Sequence, residues 1–176
     1  MFLQNSGKKG LNMKKLILMS SLIIISFVFQ TSFIGFFNHF KVIPNFPLIL
    51  LVIFAMLSDG VIGGILGFLT GILFDAMIFD IFGLYTLIYF LIGAIIGTFS
   101  DEMLRENQIV YSVAAGASTV VMHLLLYLIL FFLRFRVQSA KSILPNILFE
   151  TALNAVLVVF ILKIVIYLFD RFNVKV

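Results

Sequence analysis

The chain has 176 residues, of which 62% are hydrophobic and 11% charged, with a formal charge of +4. A soluble domain carries about 45–50% apolar and about 25% charged residues, so this composition is that of an integral membrane protein. About six spans of about 20 residues use up the length, which excludes a soluble domain alongside them.

Catalysis, binding or docking must therefore be done by helices and short connections. Cysteine is absent, so disulfides, thiolate sites and cysteine-based metal sites are excluded. The basic residues gather at helix ends, where they set membrane orientation. They are not a nucleic-acid signal.

The N-terminal tail, 1–15, carries Lys8, Lys9, Lys14 and Lys15. Met13 stands directly before the last two and is an alternative start. The first apolar run, 16–37, is too long for a signal-peptide core and lacks a small-residue cleavage site, so it reads as a retained span. A polar break with His39 follows. The second span covers 44–57, with Pro44 and Pro47 in its first turn, where a missing N–H costs nothing. Ser58, Asp59 and Gly60 turn the chain into a third span at 61–79. Gly83 closes the next turn, and a fourth span covers 84–99.

A polar connection with Asp101, Glu102, Arg105 and Glu106 leads to the fifth span, 109–133. A basic connection from Arg134 to Lys141 leads to the sixth, which is expected to start after Pro145 and cover 146–169. A short tail, 170–176, closes the chain. The expected fold is an all-α polytopic membrane protein, a six-helix transmembrane bundle. An even helix count and the lysine-rich N-terminal flank put both termini in the cytoplasm.

The stretch 58–93 organises the rest. Gly63, Gly67 and Gly71 recur every four residues and the series continues at Asp75. Four residues turn a helix by about 400°, so the three glycines and the carboxylate share one side. Gly93 and Gly97 make a second pair on the following span. In lipid, small residues let helix backbones approach closely. Packing inside the bundle explains this stripe; a partner-docking or ligand face is a second, compatible reading.

Three spans also carry polar residues. The fifth repeats Ala115, Thr119, His123 and Tyr127, and the sixth repeats Asn146, Glu150 and Asn154. At 1.5 Å per residue, Asp75 and His123 both lie about 21 Å from the inner ends of their helices. Asn154 reaches a similar depth, and Glu150 lies about one turn from the outer surface. Ionisable groups inside spans face the bundle interior or a cavity, so Asp75, His123, Asn154 and Glu150 are expected to form one outer polar cluster. Interhelical hydrogen bonding explains it; a small outward pocket or proton-sensitive site is the alternative. His123 is the expected partner of Asp75. On that basis Asp75→Asn is tolerated and Asp75→Leu is not.

Enzyme signatures are weak or missing. Residues 116–119 resemble the start of a rhomboid serine motif but lack its final glycine. Asp75 is not preceded by the glycines of intramembrane aspartyl proteases. No P-loop, zinc-binding His-Glu-x-x-His or dinucleotide fingerprint occurs. No cofactor or metal is expected, and the chain is not expected to be an enzyme.

Taken together, these residues resemble the bacterial rod shape-determining MreD family. The resemblance rests on Pro44-Asn45 before an apolar run, on the glycine series ending in Asp75, on Gly83-Leu84, and on 89–93 ending in Gly93. It implies a non-enzymatic scaffold subunit of the cell-elongation machinery in the bacterial cytoplasmic membrane. It implies docking to MreC, and through it links to MreB, RodA and a class B penicillin-binding protein, and so to peptidoglycan synthesis. The family is similar in fold to the substrate-binding subunits of energy-coupling-factor transporters, so a vitamin-binding subunit is the alternative. Those subunits carry a small-xxx-small motif on their first helix, and 20–26 here has no clear counterpart.

Overall fold

The computed structural model describes residues 13–34, 42–77, 81–100, 107–135 and 140–172. The tail lysines Lys8 and Lys9, His39, Lys41, Asp80, the charged residues 101–106, Arg136 and Lys175 lie outside the described residues. Among the described residues six helices follow one another: α1 (Met13–Ile34), α2 (Phe46–Met56), α3 (Gly60–Met77), α4 (Leu84–Phe99), α5 (Gln108–Phe132) and α6 (Ala140–Arg171). Four of them, α1, α3, α5 and α6, are long and apolar enough to cross a membrane.

The central element is the shortest. α2 has 11 residues and rises about 16 Å, about half the thickness of a bilayer's hydrocarbon. Every residue from Pro47 to Met56 is buried. A helix that is apolar all round has no face for water or lipid to prefer, and α2 touches all five others. Around it stand α1, α3, α4, α5 and α6 in that order. A cleft of about 250 Å³ separates α6 from α1, floored by Phe46 and Leu50.

Both ends of α2 are finished by side chains. At its C-terminus the Lys15 ammonium donates to the Leu57 carbonyl at 2.6 Å. A cation there offsets the negative end of the helix dipole. This marks what is called the Lys15 end of the bundle. Asp59 lies at the same end and accepts from the Ile62 N–H at 2.8 Å, capping α3. At the opposite, far end, α2 starts at its N-cap Asn45.

The start of the last helix differs from expectation. α6 begins at Ala140 and runs through Pro145. The proline falls in the second turn and removes one bond, to the carbonyl of residue 141, so the helix continues. α5 stops where Arg134 takes the left-handed conformation at φ 59°. The Arg134 N–H then bonds the Phe131 carbonyl and the Phe135 N–H the Leu130 carbonyl, the paired closure that ends many helices.

Candidate functional site

The tightest contact in the molecule is the antiparallel hairpin α3–α4. A Cβ built on Gly63 would overlap the Gly93 carbonyl, and one on Gly93 would overlap the Gly63 carbonyl. Gly67 meets the Tyr89 carbonyl in the same way, and Gly71 meets the Thr86 backbone. At the Lys15 end a Cβ on Gly97 would lie 2.5 Å from the Asp59 carbonyl oxygen. The glycine face of α3 is thus occupied by α4, backbone against backbone. Gly64 meets side chains of α4 and not its backbone: the Phe90 ring at 3.1 Å and the Ala94 Cβ at 3.5 Å.

Asp75 closes this hairpin. It is 2% exposed, and its carboxylate collects the open N–H groups of α4. Oδ2 accepts from the Gly83 N–H at 3.0 Å and the Thr86 N–H at 2.9 Å; Oδ1 accepts from the Tyr85 N–H at 2.9 Å. The Thr86 hydroxyl also donates to Oδ2. The N-cap residue is Gly83, at φ +100°, and it has no side chain to cap with. Asp75 supplies the missing cap from the end of the neighbouring helix, where an anion also suits the positive end of the α4 dipole.

This corrects one sequence expectation and bears on a second. The carboxylate of Asp75 is bonded to the α4 N-terminus and not to His123. All four partners are donors, so an amide at this position would aim its own N–H₂ at N–H groups. On this geometry Asp75→Asn is expected to weaken the cap.

The other polar residues separate into two groups. The first is a knot around Asn45, the N-cap of α2. Its Oδ1 accepts from the Leu48 N–H at 3.1 Å, and its Nδ2 donates to the Tyr89 hydroxyl at 2.8 Å. Its backbone N–H donates to Asn154 Oδ1 at 3.0 Å, and Asn154 Nδ2 donates to the Thr119 hydroxyl at 2.9 Å. The next N–H of α2, on Phe46, donates to Gln30 Oε1 at 2.9 Å. α2 begins inside the bundle, so its first N–H groups need protein partners in place of water. The knot supplies them from α1 and α6, while Asn45 itself reaches Tyr89 on α4.

The second group is His123 and Glu150. Their side chains meet at 2.9 Å and are 22% and 14% exposed. They join α5 to α6 beside a groove of about 410 Å³ lined by Val120, His123, Leu124, Tyr127 and Ile147, among others. The expected single cluster of Asp75, His123, Asn154 and Glu150 is thus three separate arrangements. Each residue has a partner, but only His123 and Glu150 partner each other.

Sequence reasoning missed the roles of Asn45, Tyr89, Gln30 and Thr86. A signal existed for the first: Asn45 followed by Pro47 fits a helix start. It also passed over Lys163, an ionisable residue in the middle of an apolar span. Among the described residues no group of three or more His, Cys, Asp or Glu could hold a metal ion.

The fold and these contacts define a class: a small, all-helical membrane protein whose intramembrane polar groups tie its own helices together. Residues 12–168 match the family model for the rod shape-determining protein MreD. The chain belongs to this family, and so takes part in determining rod shape. No curated protein and no solved structure gives a match.

Proposed function

We propose that this protein is a non-enzymatic scaffold subunit of the bacterial cell-elongation machinery. It docks MreC within the cytoplasmic membrane and, through it, couples MreB to the peptidoglycan synthases RodA and a class B penicillin-binding protein. The observation that carries this reading is the family match over nearly the whole chain. The structure supports it in kind. Asp75, Asn154, His123 and Glu150 are spent on holding helices together, which suits a part that positions other proteins.

In this reading all six helices belong to one transmembrane domain, about 16–169, with short tails at 1–15 and 170–176. The Lys15 end faces the cytoplasm, as the N-terminal lysines favour. Gln108 then lies on the cytoplasmic side and Gln138 outside. In this cysteine-free chain, a cysteine at position 138 should react with an impermeant thiol reagent in whole cells and one at 108 should not. The reverse pattern inverts the orientation.

A second reading is a vitamin-binding subunit of an energy-coupling-factor transporter, whose fold the six helices would share. One observation favours it: the α5–α6 groove, with the ionisable His123 on its wall. Purification of the tagged chain in mild detergent separates the two. Recovery of MreC and cell-wall synthesis proteins is the expected result. Recovery of transport ATPases or a bound vitamin overturns the scaffold reading.

A further inference from the structure

α6 has a buried seam and an opposite one that is left exposed among the described residues. Asn154, Val158, Leu162, Val165 and Phe169 face the bundle and are buried. Val156, Phe160 and Tyr167 face outward and are 59%, 60% and 68% exposed. Lys163 belongs to this outer seam and is exposed too. Among the described residues it has no hydrogen bond or ion pair.

Its depth follows from the packing. The rings of Phe54 and Phe169 stack at 6.1 Å, which puts these two residues at one level. Leu57, whose carbonyl accepts from Lys15, is three residues beyond Phe54, about 4–5 Å nearer the Lys15 end. Lys163 is six residues before Phe169, about 9 Å the other way. It therefore lies about 13 Å inside the level of Lys15, close to the half-thickness of the hydrocarbon, about 15 Å.

A lysine near a helix end escapes by extending its stem to the interface. Here the geometry opposes this. Side chains on a helix lean toward its N-terminus, and the N-terminus of α6 is at the far end. The ammonium thus leans toward the bilayer centre, away from the nearer headgroups. Ionisable residues in spans normally pair with one another, with backbone or with water-filled cavities. A carboxylate at the same depth would satisfy it.

A second copy of this chain cannot supply that carboxylate. Of its eight acidic residues, Asp59 and Asp170 stand at helix ends on the Lys15 side. Asp75 and Glu150 belong to the far half, where they are engaged. The other four fall in sequence between helices.

We infer that the outer seam of α6, Val156, Phe160, Lys163 and Tyr167, docks a transmembrane helix of a different protein that carries an aspartate or glutamate opposite Lys163. The spacing of four, three and four residues is that of a seam between helices crossing at a shallow angle. The inference deepens the docking role proposed above by giving its surface and the partner's chemistry.

The test uses the full chain in a rod-shaped host, with a photo-reactive phenylalanine analogue at Phe160 or Tyr167. The expected result is a cross-link from both positions to one membrane segment containing an acidic residue. Lys163→Met should lower that yield about tenfold, and Lys163→Arg should keep it. Position 163 lies outside the bundle's own packing, so the protein level should hold in Lys163→Met, which separates this effect from misfolding. A reversed pair, Lys163→Glu with the partner's acid changed to lysine, should restore the yield. Cross-links to lipid alone, to a second copy, or undiminished by Lys163→Met would overturn the inference. If MreC co-purifies while these positions label only lipid, the docking role stands and this surface falls. If they label an acidic helix of another protein, the surface stands without MreC.

Discussion

Between α3 and α4 the glycines put backbone against backbone, with the Phe74 ring stacked on Tyr85 and Tyr89 at the far end; between α5 and α6 there are side chains, the His123–Glu150 contact and a groove of about 410 Å³. Both are antiparallel hairpins of sequence neighbours. In α3–α4 the glycines bring two helix backbones into contact, and at those points no side chain can rotate to relieve a strain. In α5–α6 contact is made through side chains that can change rotamer. The first is a fixed strut, and the second is a surface that can adapt. The central knot, where Asn45 and Asn154 meet, joins α6 to the α2 core.

The largest expected effect tests the strut. Gly67→Leu or Gly71→Leu drives a side chain into the backbone of α4. We expect a loss of about 3 kcal/mol or more, seen as collapse of the folded fraction in detergent. Gly64→Ala, which meets the Phe90 ring and the Ala94 methyl and no backbone, should cost about 1 kcal/mol or less. Equal effects at positions 64 and 67 would erase the distinction between backbone and side-chain contact.

Next comes the cap. Asp75→Leu strands four donors, and Asp75→Asn faces at least some of them with another donor. Each buried donor left unmade costs about 1–3 kcal/mol. Thermal unfolding should rank the wild type above Asn and Asn above Leu. A wild-type melting curve for Asp75→Asn would show that the carboxylate is not acting as the α4 cap.

The knot should be worth somewhat less. Asn154→Leu leaves the Asn45 N–H without its partner and removes the donor to Thr119, at a cost of about 1–3 kcal/mol. The outcome is read as faster hydrogen exchange at Asn45 and Phe46, with α3–α4 amides unchanged. Exchange that spreads equally into α3–α4 would mean that the two regions are not separable.

The smallest effect tests the adaptable side. A double-mutant cycle on His123→Leu and Glu150→Leu should give a coupling of about 0.6 kcal/mol, and no more than about 1.7. Both side chains are partly exposed, and each can find another partner. A coupling above about 3 kcal/mol would make α5–α6 as rigid as α3–α4.

Sequence alone determined the helical class, the approximate limits of α3, α4 and α5, and the glycine face with Asp75 on it. These are local properties: apolar run length, a four-residue period and turn residues set them within one segment. The family resemblance was legible for the same reason, since it lies in that contiguous stretch.

The partners were decided only by tertiary structure. Depth along separate helices put Asp75, His123 and Asn154 at one level, but depth leaves azimuth open. Which faces meet depends on how five helices are arranged around α2. Asp75 turned out to face the open N–H groups above Gly83, because a glycine cap has no side chain and a carboxylate was within reach on the glycine face. Asn45 found Asn154, 109 residues away in sequence, because α2 is too short to reach the far surface and its first N–H groups had to be satisfied inside. Lys163 was readable as a charge in a span; that it faces outward required the packing of α6.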